Sequence, residues 1–285
     1  MNSIAYVNAN VIPMERGERH SAILVRDGKI RALGTDEQIA AAAKEAGITP
    51  RDAKGATILP AFFDCHVHIM ITGENASGVD LFDCKDIAEV ISLLQEEEKR
   101  LPAGRWVFGK RLDESRLKEG RPPVMSELDA IPRPVFVADR GKHYELVNSA
   151  AYKALNIKDD MEGVRLGADG KPNGRLHDEA NRFASAGFFG SWSKEQREDA
   201  VRYTANLALS RGITTINGME GMDSGDDDVT LIQSMMPELP LDVKVFWCTT
   251  DAEKVVDIGF DLWGGDILLD GSIGSGTAAF SEKYS

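Results

Sequence analysis

Two histidines separated by one residue close an apolar run of the sequence. His66 and His68 end the segment AFFDCHVHIM, residues 61–70. Residues two apart on a strand share a face, so both imidazoles would point the same way, and neutral imidazole is a common ligand of Zn²⁺. Random placement of the five histidines would give roughly 0.1 such pairs. The pair therefore predicts a metal site, with packed or exposed histidines as the alternative.

The elements before this pair are expected to be mainly short strands. Thr35 and Gln38 form a capping box that opens an Ala-rich helix running through Ala46. The segment that carries the histidines then follows Pro60 as a further strand. Alternation and turn residues predict four earlier strands: Ile4–Ile12, Ala22–Val25, Lys29–Leu33 and Ala56–Leu59.

The elements after the pair change from isolated patterns to a strand–helix–strand order. Ser193 and Gln196 form a second capping box, opening a helix through Arg211. Strands at Ile213–Asn217, Val243–Cys248 and Ile267–Leu269, with a short helix near Val229–Met236, follow the order of a parallel sheet. Between the histidines and this region we expect a helix over Asp86–Arg100, strands over Arg105–Lys110 and Pro134–Ala138, and mostly turn over residues 158–180.

Composition excludes several classes of protein. The 285 residues carry a net charge of −13, with scattered basic residues, so the electrostatic footprint of a nucleic-acid or anionic-membrane partner is missing. Three cysteines without a CxxC pair argue against a disulfide framework. The N-terminus resembles no secretion signal, and no apolar run reaches membrane-spanning length. We therefore expect a folded, cytoplasmic protein.

Several segments beyond the histidine pair resemble one enzyme family. Together they are similar to the amidohydrolase superfamily, and specifically to its YtcJ-like branch, amidohydrolase family 3. The segments are, in chain order, ILPAFFDCHVHI, GRWVFGKRLDESR, PRPVFVADRGKHYELVNSAAYKALNI, NGRLHDEA, LALSRGITTINGME and ILLDGSIGSGTAAFSEKYS. They cover essentially the whole chain, and they are specific for the branch but not for a substrate.

The resemblance implies an α/β fold built on a distorted TIM (β/α)8-type barrel, with HxH at the end of its first strand. Residues 1–59 would be the N-terminal part of a composite β-sandwich. Residues 60–285 would form only the first half of the barrel, with a long insertion at about 69–205. Family members continue for a comparable length and supply further ligands on later strands, so strands five to eight are expected from a second polypeptide or a missing C-terminal half.

The resemblance also nominates site residues. His66 and His68 would bind the metal. Asp266 occupies the position where relatives often carry a bridging lysine, so it either bridges metals or only ends a turn. His143, in GKHYELVN, would face substrate or metal, or it is a locally bonded loop histidine. Glu179, in GRLHDEA, would bind metal or accept a proton, or it has only a structural role.

Asp270 is the last candidate that the resemblance provides. It ends the expected fourth strand, where the carboxyl rim of a barrel places catalytic groups. Its alternative role is that of a turn residue accepting from the backbone of the glycine-rich segment that follows it.

The function implied is hydrolysis of a C–N bond, as in an amide, amidine or lactam, by water activated on a divalent metal, with one or two Zn²⁺ ions expected. The partners implied are a small-molecule substrate and further copies in a homo-oligomer of the completed unit, with neither nucleic acid nor membrane. The alternative is a non-catalytic half-barrel subunit or interaction protein. An open half-barrel exposes strand edges, so both interpretations require a partner.

Overall fold

The computed structural model describes residues 3–15, 17–141, 143–221, 226–267 and 279–281. Its contacts divide the chain into two compact units, Met1–Phe63 and Asp64–Ser285. The division falls inside the strand that carries the histidine pair, slightly after the expected boundary at residue 59. Within the described ranges, every helix is too short or too polar to cross a membrane.

The first unit combines a small sheet with one helix. Its elements are β1 (Ile4–Val7), β2 (Asn10–Val11), β3 (Ala22–Arg26), β4 (Lys29–Gly34), α1 (Asp36–Glu45), β5 (Arg51–Asp52) and β6 (Thr57–Ile58). The strands form a sheet in the order β4-β3-β1-β5, and β2 pairs with β6 separately. The predicted capping box is confirmed, because Thr35 accepts from the Gln38 amide and Gln38 accepts from the Thr35 amide. The helix packs Ile39 and Ala43 onto the sheet.

The remaining elements build two further sheets. In chain order they are β7 (Phe62–Val67), α2 (Ile69–Ser77), β8 (Val79–Asp80), α3 (Ile87–Arg100), β9 (Val107–Leu112), a 3-10 turn (Glu114–Arg116), α4 (Met125–Leu128), β10 (Val135–Asp139), β11 (Glu145–Val147), α5 (Ser149–Ala154), β12 (Val164–Leu166), β13 (Pro172–Leu176), α6 (Asp178–Gly190), α7 (Lys194–Ser210), β14 (Ile213–Glu220), α8 (Asp226–Met235), a 3-10 turn (Met236–Glu238), β15 (Asp242–Trp247) and α9 (Ala252–Asp257).

The segment between β7 and α7 forms its own sheet, in the order β12-β13-β11-β10-β9-β8. Side chains alternate between its two faces. Val135 and Val137 join one buried cluster, whereas Phe136 joins the other and stacks on Phe188 with ring centroids 4.4 Å apart. Burial on both faces explains why β10 is apolar from Val135 to Ala138.

The second sheet of this unit has the order β15-β14-β7 and carries the histidine pair. Strands β14 and β15 run parallel, with Glu220 opposite Trp247 at their carboxyl ends, as the strand–helix–strand pattern predicts. Helix α2 packs on α7 so closely that a methyl group at Gly73 would overlap the backbone of Ala200. The Thr204 hydroxyl donates to the Ile69 carbonyl at 2.8 Å across the same contact.

The fold is mixed α/β, and two expectations need comment. Residues 158–180 were expected to be mostly turn, but they contain β12 and β13, which pair with each other and with β11. The three strands of the second sheet do not close a barrel within the described ranges. The predicted strand Ile267–Leu269 lies outside the described residues except for Ile267.

Candidate metal centre

The histidine pair lies where β7 ends and α2 begins. His66 belongs to the strand and His68 is the N-cap residue of the helix. Their ring centroids are 5.3 Å apart, with the planes nearly perpendicular. Both side chains remain open to solvent, at 56% for His66 and 33% for His68. The two-residue spacing thus brings both imidazoles to one accessible place.

Asp266 joins this pair from almost two hundred residues further along the chain. Its Oδ2 atom lies 3.6 Å from Nε2 of His66 and 3.3 Å from Nε2 of His68. Each of the three residues offers one donor atom, and these three atoms all lie within 4.8 Å of one another. Two imidazole nitrogens and a carboxylate oxygen are a donor set suited to Zn²⁺ and similar divalent ions, with room for a further ligand. The residues present therefore fit a metal ion.

A backbone carbonyl orients His68. Its Nδ1 atom lies 2.9 Å from the carbonyl oxygen of Met219, in β14. A carbonyl only accepts, so Nδ1 carries the proton and Nε2 keeps the lone pair that a metal needs. The Nε2 atom is also the one that faces Asp266. The ring is thus held in the tautomer that binds metal.

Glu220, the next residue of β14, holds the start of α2. The N-cap residue His68 makes no side-chain cap, and the buried Glu220 carboxyl group instead accepts from the amides of Ile69 and Met70. These amides belong to the first turn, where a helix has no internal acceptors. Burial, together with the nearby Asp228 and Glu74 carboxylates, raises the pKa of Glu220 to about 8, although the two amide hydrogen bonds act to lower it.

Glu220 is not among the site residues predicted from the sequence, although a signal was present. An acidic residue at the carboxyl end of an apolar parallel strand occupies a position that faces the site in barrel folds. Cys248 is the first residue after β15, and its amide donates to the Glu220 carbonyl at 2.8 Å. Burial raises the pKa of the Cys248 thiol, and the Asp266 backbone amide acts against that effect. Three strand ends therefore meet at the candidate centre.

The other predicted site residues lie elsewhere or are not described. His143 follows β10 in an exposed turn, where its amide donates to Asp139 Oδ1 at 2.6 Å. Glu179 is exposed in the first turn of α6. Neither contributes an atom to the metal-sized group found among the described residues. Asp270 lies outside those residues. The roles of these three stay predictions.

Comparison with known proteins extends the resemblance found in the sequence. The model of the "Amidohydrolase family" matches residues 51–285. N-substituted formamide deformylase of Arthrobacter pascens is 29% identical over 233 residues, covering 76% of this chain and 42% of that protein. Putative amidohydrolase YtcJ of Bacillus subtilis is 30% identical over 178 residues, covering 59% of this chain and 33% of that protein. The matched region thus spans less than half the length of either relative.

A solved structure shares the fold. An uncharacterized metal-dependent hydrolase from Pyrococcus horikoshii superposes with a TM-score of 0.78 at 22% sequence identity. The superposition covers 99% of this chain and 57% of that one. The fold of this chain is therefore found in a larger solved protein.

Proposed function

Because this chain belongs to the amidohydrolase family, in its YtcJ-like branch, we propose that it provides the metal-binding first half of a hydrolase that cleaves C–N bonds. The convergence of His66, His68 and Asp266 on one accessible point is the observation that carries this proposal. The printed name of a relative, N-substituted formamide deformylase, supports an amide-like substrate. The substrate class proposed is a small amide, amidine or lactam.

The residues of this chain would divide the work between binding and positioning. His66, His68 and Asp266 would hold the ion, for which Zn²⁺ suits the nitrogen-rich donor set. When bound, such an ion supplies Lewis acidity and makes water a nucleophile near neutral pH. Met219 would keep Nε2 of His68 unprotonated through its carbonyl group, and Glu220 would fix the backbone that follows.

The remaining parts of the site are proposed to come from outside this chain. A second polypeptide, or a C-terminal half that completes the barrel, would supply the proton acceptor and further ligands. His143, Glu179 and Asp270 stay candidates for contacts with substrate or metal in the completed site. We also propose a homo-oligomer of that completed unit. The free cysteines Cys65, Cys84 and Cys248 support a reducing, cytoplasmic compartment.

Metal content tests the proposal directly. The chain is loaded with Zn²⁺, dialysed, and analysed by inductively coupled plasma mass spectrometry. We expect about one ion per chain, and less than about a tenth of that in the double variant His66→Ala/His68→Ala, because loss of two ligands leaves a single carboxylate. His20→Ala is the matched control, since His20 lies in the first unit.

Equal metal content in the double variant and the control would refute the metal centre. Absence of Zn²⁺, Mn²⁺ and Co²⁺ binding by the unmodified chain would instead favour the non-catalytic subunit. Circular dichroism of each variant confirms that a loss of metal does not reflect loss of the fold.

A further inference from the structure

The second unit contains a cavity that lies apart from the metal centre. It has a volume of about 340 Å³ and lies between the C-terminal half of α2, the α3–β9 connection and helices α6 and α7. Gly73, Ala76 and Ser77 of α2 line it, and the nearest of them, Gly73, is about 7.5 Å along the helix axis from His68 at 1.5 Å per residue. A cavity of this size is in the range that holds small molecules.

The walls of this cavity are rich in aromatic side chains. Five of them line it: Trp106, Phe108, Phe188, Trp192 and Tyr203. Phe188 contacts Trp106, Phe108 and Trp192 at ring-centroid distances of 5.6, 5.2 and 6.1 Å, so these four rings are contiguous. Such a wall favours a flat, apolar ligand body, which stacks or packs edge to face on the rings.

A positive charge without a partner stands in the same wall. The Arg105 side chain is half-buried and makes no ion pair within 4.0 Å in the part of the chain that the structure describes. Its Nη1 atom is closed off from solvent and has no hydrogen-bond acceptor there. An uncompensated, partly desolvated guanidinium destabilises a fold, and a carboxylate paired with the guanidinium offsets part of that cost.

Acidic groups line the cavity without reaching Arg105. Glu97, on α3, and Asp199, on α7, both line it. Asp199 lies 3.7 Å from Arg202 and is largely exposed, so Glu97 is the less compensated of the two. The opposite charges of Arg105 and Glu97 therefore line one cavity at a separation beyond 4.0 Å. These two charges match a ligand that carries both a carboxylate and an ammonium group.

We propose that this cavity binds a zwitterionic aromatic amino acid. The ligand carboxylate pairs with the guanidinium of Arg105, its ammonium group faces Glu97, and its ring packs on the aromatic wall. The site is separate from the metal centre and does not depend on the proposed hydrolysis. It shares only α2 with that centre, since the helix starts at His68 and its C-terminal half forms one side of the cavity.

Calorimetric titration of the 285-residue chain with L-phenylalanine and L-tryptophan tests the proposal. We expect saturable binding, and at least about 10-fold weaker binding of 3-phenylpropionate and of phenethylamine, because each lacks one of the two charges. Trp106 and Trp192 line the cavity, so L-phenylalanine should also change the tryptophan fluorescence. The proposal would be overturned if either single-charge analogue bound as tightly as L-phenylalanine. It would also be overturned if neither amino acid reached saturation at a concentration of about 10 mM.

Paired variants locate the site. Arg105→Met and Glu97→Gln are each expected to weaken L-phenylalanine binding about 10-fold, since each removes one charge contact. Their controls are Arg100→Met and Glu96→Gln, which change exposed residues of α3 that do not line the cavity. Equal affinity in a variant and its control would overturn the assignment.

Two further readouts separate ligand binding from a structural role. Arg105→Met removes a charge without a partner, so its melting temperature should equal or exceed that of the unmodified chain while binding is lost. Ala76→Phe should fill the cavity and abolish L-phenylalanine binding while leaving Zn²⁺ content unchanged. Undiminished amino-acid binding by a folded Ala76→Phe variant would show that the ligand binds elsewhere.

Discussion

His68 is positioned through its ring and through the backbone that follows it. The Met219 carbonyl fixes the ring, and the Glu220 carboxyl group accepts from the amides of Ile69 and Met70. Both contacts come from adjacent residues of β14, so the end of that strand determines where the imidazole lies. Groups that do not bind the metal thus set the geometry of a ligand.

The buried carboxyl group of Glu220 makes stability depend on pH. Burial raises its pKa from the ordinary value of 4.5 to about 8, so the folded state binds a proton that the unfolded chain releases. The stability contributed by this proton is present below pH 4.5 and is lost as pH rises toward 8. Relative to Glu220→Gln, the metal-free chain should lose about 3 kcal/mol between pH 4.5 and 7.

Urea unfolding of both proteins at several pH values between 4.5 and 8 measures this difference. Glu96→Gln, which changes an exposed acid on α3, is the control and should follow the unmodified chain. A stability difference between the unmodified chain and Glu220→Gln that stays constant with pH would show that Glu220 keeps an ordinary pKa.

The α2–α7 contact joins helix α2, which begins at the metal centre, to helix α7 of the second unit. Gly73 is buried, and a methyl group there would overlap the backbone of Ala200. Gly73→Ala must therefore move the helices apart, and we expect a loss of about 2–3 kcal/mol of unfolding free energy. Gly190→Ala is the control, because that exposed glycine at the end of α6 has open space around it and alanine there should be neutral or slightly stabilising. Equal melting temperatures of the two variants would contradict the close packing.

Local patterns predicted the elements better than the contacts between them. The capping boxes at Thr35 and Ser193 are confirmed, because each depends on residues within one turn. Strands β12 and β13 were missed because their Gly- and Asp-rich segment forms strands only by pairing with each other and with β11. The sequence could not decide between the bridging and turn roles of Asp266, since its approach to His68 depends on long-range packing.

The β7 edge of the three-stranded sheet is open in the part of the chain that the structure describes. Strand β7 is the end strand of the order β15-β14-β7, and none of its six residues is buried. Phe62 and Phe63 are more than half exposed, at 57% and 54%. An unpaired apolar edge promotes pairing with another strand. This agrees with the proposal that further strands complete the site.

The open edge makes association a measurable property of the whole molecule. The purified 285-residue chain should show a mass that increases with concentration in size-exclusion chromatography with light scattering, because β7 can pair between copies. Phe63→Lys should keep the mass at 31.1 kDa, since a lysine disfavours edge pairing. Phe183→Lys changes an equally apolar, 43% exposed residue on α6 and should associate like the unmodified chain. If both lysine variants associate to the same extent, the contact lies away from β7, and a completing polypeptide would have to bind another surface.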